Sequence, residues 1–279
     1  MQRATKRVLL TAVLLALAAA STACLPNPPP VHIVIVIEEN HSDTSIMGNP
    51  AAPYMNSLAQ SGAQFSEYRA VTHPSLPNYL AMFSGSTQGV TSDACPAPGS
   101  PYAATNIGGE LLAAGKTFVG YSEDLPAVGS TQCSNGGYQR KHNPWSYFSD
   151  VPASSNQPFT AFPSDFDQLP TVSYVVPNQQ HDMHDGTIAQ ADTWLQDNLD
   201  AYAQWAPSHN SVLIVTWDED DFVGDNKIAT FMTGAHVKPG VYGTNYDHYS
   251  LLRTLEELYG TTTHAGAASS ATVIDGCWN

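Results

Sequence analysis

Two stretches of the chain, HIVIVIEEN (residues 32–40) and SVLIVTWDEDD (211–221), are apolar and β-branched without interruption until their acidic ends. A strand with one wet face would alternate. An unbroken run predicts burial on both faces, as in a parallel sheet, with the acids emerging at the carboxyl end. TFVGYSE (117–123), TVSYVVPN (171–178) and IATFMTG (228–234) predict further strands. Between them lie APYMNSLAQSG (52–62), NIGGELLAAG (106–115), QADTWLQDNLDAYAQWA (190–206) and SLLRTLEELYG (250–260), most with apolar residues three or four apart, which predicts amphipathic helices. The alternation predicts an α/β fold: one doubly wound, mostly parallel sheet with helices on both faces and its ligand site at the carboxyl edge. One domain over 31–279 accommodates it, with loop excursions at 86–105 and 124–165 and no internal repeat.

The first 23 residues follow a different pattern. Arg3, Lys6 and Arg7 precede an apolar run from Val8 to Ala20 and then small residues, which reads as an export signal over 1–23 rather than a spanning helix. Residues 24–30, CLPNPPP, form a stiff proline-rich spacer. Cys24 ends a lipobox-like sequence, so it is either a lipid anchor at the cell surface or a cysteine that pairs, with Cys277 as the partner. Cys95 and Cys133 lie in turn-rich DACPAPGS and STQCSNGG, and in an oxidising compartment a disulfide between them is the simplest pairing. The chain is thus expected to be secreted or held at the surface, and to act as a monomer.

The formal charge of −15 argues against nucleic acid and anionic membrane surfaces as partners. An anionic substrate would need local positive charge, from a metal ion, histidines or the Arg140-Lys141-His142 cluster. THPSLPNYL (72–80) sets Ser75 between two prolines, which restrict the backbone around it. A helix start at Pro77, ended by Ser84 and Gly85, puts Ser75 at or just before a helix N-terminus. Serine there serves either as an N-cap or as a nucleophile facing an anion held by the free N–H groups.

Glu39 and Asn40 close the first strand, and Asp218 and Glu219 close a late one. Four hard oxygen donors at one sheet edge suit one divalent cation, calcium or magnesium before zinc, or else are ordinary strand-end solvation. Asp220 and Asp221 are outer ligands or strand-end charge. A cation beside Ser75 would favour its alkoxide. His181 and His184 in HDMHD, and His248 at a helix start, supply groups that could bind metal, hold phosphate or protonate a departing alkoxide.

EEN after the first strand, HPSLPNYLAMFSG, SEDLPAVGSTQC, RKHNPW, VVPN with DMHD, VTWDEDD and HYSLLRTLE together resemble, in the same order, the bacterial phosphoesterase family of the alkaline phosphatase superfamily. The resemblance runs from about residue 31 to near the C-terminus. It implies an acid phosphatase acting on phosphomonoesters, phosphatidylinositol 3-phosphate among them. It also implies Ser75 as the nucleophile, Asn78 as a donor to a phosphate oxygen, and Glu39, Asn40, Asp218 and Glu219 as metal ligands. Glu219 stands where relatives place Asp or His, and an oxygen there favours a hard ion.

Two-metal relatives carry P-D-x-x-x-H after a middle strand, whereas this chain has Pro177-Asn178-Gln179-Gln180-His181-Asp182. That departure implies a single metal, with His181, His184 and His248 taking over phosphate binding and leaving-group protonation. His73, Lys141 and His142 are the remaining candidates for holding substrate. The expected reaction is attack by Ser75 on phosphorus, a phosphoserine intermediate, and its hydrolysis. The competing readings are a phospholipase C-type phosphodiesterase and a noncatalytic, metal-dependent surface-binding protein.

Overall fold

The computed structural model describes residues 24–279, so the expected export signal over 1–23 lies outside the described residues. Eight strands form one sheet: β1 (His32–Glu38), β2 (Ala63–Phe65), β3 (Phe118–Ser122), β4 (Asn156–Pro158), β5 (Val172–Val176), β6 (Ser211–Trp217), β7 (Thr230–Gly234) and β8 (Gly240–Tyr242). Their order is β8-β2-β7-β6-β1-β5-β3-β4. Both neighbours of β1 run parallel to it, while β7 is antiparallel to β6 and β2. Every residue of β1, β5 and β6 is buried, as their uninterrupted apolar runs require.

The five strands predicted from hydrophobic runs are all present. The short outer strands β2, β4 and β8 were not predicted, because three residues leave no period to detect and Pro158 and Gly240 are poor strand formers. β4 lies inside the excursion expected as loop at 124–165. Its partner β3 carries Gly120, whose missing side chain leaves room for the indole of Trp145; a Cβ there would collide with that ring.

Helices α1 (Pro53–Ser61), α2 (Ser75–Ser84), α3 (Ile107–Ala113), α4 (Ile188–Trp205) and α5 (His248–Tyr259) cover the sheet. α2, α3 and α5 pack together, and α1 packs against α4. Asp192 of α4 accepts from Tyr54 N and Met55 N at 3.1 and 2.8 Å, capping α1 from another helix. Tyr202 of α4 donates to the carbonyls of His32 and Val212. α2 is buried along its whole length. It closes on Gly85, whose φ of +65° and contact with the Ala265 carbonyl both exclude a side chain.

Side chains alternate along β1, so its two terminal acids part company. Even positions face α4: His32 lies against Trp205, and Glu38 is repelled by Asp192. Glu39 turns to the opposite face, toward α2 and its serine. The disulfide Cys95–Cys133 is formed. Cys24 is exposed and Cys277 buried, and both are free, which corrects the expected alternative of a bond between them. Among the described residues, no helix is long and apolar enough to cross a membrane.

Candidate active site

Ser75 is the first residue of α2, and Pro74 occupies the N-cap position. The N-cap reading of Ser75 therefore fails. Its hydroxyl makes no capping bond and lies 3.1 Å from Glu39 Oε2 and 3.3 Å from Glu219 Oε1, within donating reach of either. The free amide of Leu76 is capped instead by Asp93, 3.0 Å away. Asn40, at φ +53°, donates its backbone N–H to Asp218 Oδ1 at 3.2 Å, so the ends of β1 and β6 are tied together beside the serine.

Of the four expected ligands, Glu39 and Glu219 contact Ser75 and Asn40 is bonded to Asp218, but a different group meets the geometry of a metal site. Glu39, His142 and Asp182 are buried, and one ligand atom of each lies within 4.8 Å of the others. His142 Nε2 is 3.1 Å from Glu39 Oε1 and its Nδ1 is 3.5 Å from Asp182 Oδ2. The first contact is close without the alignment of a hydrogen bond, since Nε2 has no hydrogen-bond partner; Asp182 Oδ2, Asp218 Oδ2 and Asn40 Oδ1 are likewise buried and unpartnered. The convergence of Glu39, His142 and Asp182, two of them with unpartnered buried atoms, fits a cation.

The electrostatics agree. Burial, then repulsion from Asp218 and Asp182, pushes Glu39 well above the usual carboxylate range. Burial raises Asp182 too, and moves Asp218 up to about 7 and Glu219, further repelled by Asp218, up to about 9. Burial, with Lys141 and His184 nearby, keeps the His142 imidazole neutral, the form that ligates metal. Bound there, a divalent cation would be held by Glu39, His142 and Asp182, with Asp218 beside them as a further candidate through its unpartnered Oδ2.

At the P-D-x-x-x-H position Asp182 puts a carboxylate into the pocket, and His142, expected to hold substrate, stands among the candidate ligands. Asn178 instead shapes the turn, accepting from Gln180 N and His181 N.

The other predicted residues divide. Lys141 Nζ lies 2.9 Å from Asp93 Oδ2 and 3.3 Å from His184 Nε2. Burial works against the Lys141 charge, but Glu39, Asp93 and Asp218 outweigh it and raise its pKa. His73 sits at the rim, Nδ1 2.7 Å from Glu219 and Nε2 3.3 Å from Asp220. Asn78 lies beneath: its Oδ1 accepts from Val71 N and Thr72 N, and its amide group donates to the Thr72 and Pro74 carbonyls and to Glu219. It builds the serine's loop, where a donor to a phosphate oxygen was expected.

His248 is fully buried, its Nε2–H donating to the Asp218 carbonyl at 2.7 Å, and burial drives its pKa down to about 4; the ring thus braces the end of β6. His181 is turned away onto Glu123, 2.9 Å distant, and stacks near Trp194. Tyr79, which the sequence reading missed, donates to Glu39 Oε1 at 2.6 Å and stacks on His142. One helical turn separates it from Ser75, and that i, i+4 spacing was the available signal.

A family model described as "Phosphoesterase family" matches residues 48–262. This chain belongs to the Phosphoesterase family. The phosphoesterase is 53% identical over 253 residues to a phosphatidylinositol-3-phosphatase of Mycobacterium tuberculosis, covering 90% of this chain and 84% of that one. It is 29% identical to a probable acid phosphatase of Kluyveromyces lactis over 80% of its own length, and spans 58% of that longer relative. A Vibrio parahaemolyticus protein of the alkaline phosphatase superfamily shares its fold, with a TM-score of 0.62 at 15% identity over 88% of this chain and 71% of that chain. The phosphoesterase is a phosphoric ester hydrolase.

Proposed function

We propose that this protein is an exported, metal-dependent phosphomonoesterase that works through a phosphoserine on Ser75. The observation that carries the reading is a buried hydroxyl at a helix N-terminus, 3.1 and 3.3 Å from carboxylates contributed by two different strand ends. With the site's cation bound and the carboxylates thereby ionised, Glu39 or Glu219 would take the serine proton as Oγ forms a bond to phosphorus and the ester oxygen departs. A divalent cation held by the surrounding donors supplies charge compensation for the serine oxygen and the phosphoryl group. His73 and His184, each about a quarter exposed at the pocket's edge, are the groups placed to give the leaving oxygen its proton. Water then cleaves the serine–phosphate bond, releasing inorganic phosphate and restoring the hydroxyl.

The likeness to a phosphatidylinositol-3-phosphatase supports a phosphoinositide as the physiological ester. The test is mass spectrometry of enzyme quenched during turnover. The mass of a phosphate is expected on the peptide that contains Ser75, and Ser75→Ala is expected to abolish both the adduct and hydrolysis. A fully active Ser75→Ala variant would sink the reading.

A further inference from the structure

His73 separates the reacting groups from a groove that the chemistry above does not use. The His73 ring lies flat on Phe222, with centroids 4.0 Å apart and planes 21° apart. Phe222 is 72% exposed and has a φ of +65°, a backbone conformation that bulky residues rarely adopt. Asp220 holds it there. Its buried carboxylate accepts from Phe222 N, Gly224 N and Asn226 N at 2.8 to 3.0 Å. Asn226 ties the loop to the serine segment through the Thr72 carbonyl at 2.8 Å. The ring is thus held on a fixed loop with one face on His73 and the other free. Beside it lies a groove of about 530 Å³, lined by Ala70, Val71, His73, Phe222, Asp225 and Asn226.

We propose that this groove is the leaving-group subsite and that Phe222 is the platform on which a ring-shaped polyol lies. The inference rests on the phosphomonoesterase reading above. The chain of contacts Ser75–Glu219–His73–Phe222 sets the groove beside His73, one of the two groups proposed above to protonate the ester oxygen. The aromatic face suits the C–H face of a cyclic polyol. The Asn226 amide is spent on Thr72 and Asp220 N, so Asp225 is the lining carboxylate left to accept from ring hydroxyls. Arg69, the cation nearest that wall, is already engaged by Asp225 and Glu67.

The full chain, with divalent metal present, is assayed on inositol monophosphate and on glycerol phosphate, comparing wild type, Phe222→Ala and Phe222→Tyr, each shown to be folded by thermal melting. Loss of one ring contact is expected to lower the inositol-to-glycerol ratio of kcat/KM by about two- to tenfold in Phe222→Ala, with the ratio kept in Phe222→Tyr. Equal losses on both substrates would show that the ring only props His73 and would overturn the subsite, as would an unchanged ratio. A wild-type enzyme inert toward both esters would overturn the phosphomonoesterase reading, and the subsite with it.

Discussion

Replacing both Cys95 and Cys133 by serine tests how the pocket is held together. The bond joins residues 38 apart, and the chain-entropy model assigns about 4 kcal/mol to closing a loop of that length. For a chain of this size that corresponds to a Tm lower by roughly 8–16 °C. The same two segments deliver Asp93 and the Lys141–His142 pair, joined by the 2.9 Å Asp93–Lys141 ion pair, and Asp93 also caps the serine helix. The cross-link therefore fixes site groups as well as the fold. Misplacement by about an ångström can cost up to about 10²-fold, so kcat/KM is expected to fall about tenfold at a temperature where both proteins remain folded. Calorimetry and p-nitrophenyl phosphate hydrolysis read the two effects. A double variant melting within about 2 °C of wild type would refute the stability estimate. A large loss of Tm with full activity would refute the coupling to the pocket.

Three further outcomes are expected. Chelation abolishes hydrolysis and a divalent ion restores it, while calorimetric titration shows weaker metal binding in Asp182→Asn; unchanged affinity in that variant would remove Asp182 from the ligand set. Tyr79→Phe deletes a 2.6 Å bond to a buried carboxylate, a class of contact that contributes about 1.5–3 kcal/mol, so kcat/KM should drop about tenfold or more, and an unaltered value would make the bond incidental. Glu256 is pushed up to about 8, chiefly by burial and then by Glu110, against about 4.3 in an unfolded chain. The folded state thus holds a proton that the unfolded state has lost, so its contribution to stability is full below about pH 4.3 and gone above about pH 8. Glu256→Gln should flatten the decline of Tm across that window; the same slope in both proteins would contradict the assignment.

The sheet's central strands were legible because their burial writes itself as an apolar run, and Glu39, Asn40, Asp218 and Glu219 were legible because acids and amides end those runs. Three-residue edge strands carry no such period. The site's second half was harder to see. HDMHD drew attention to its imidazoles, yet Asp182 is the member that enters the pocket, because its side chain turns inward while His181 turns out to Glu123. His142 read as a substrate-holding residue, and only its burial beside Tyr79 and between Glu39 and Asp182 makes it a candidate metal ligand. Composition could not reveal that Asn78 is consumed by its own loop.

Residues 39, 75, 142, 182 and 219 come from five separate stretches that together span most of the described chain. No hairpin or single βα unit of this protein holds enough of them to act. Hydrolysis is therefore an all-or-none property of the completed domain. Turnover reports that the last distant segments have docked, so recovery of activity during refolding should lag behind recovery of helical signal.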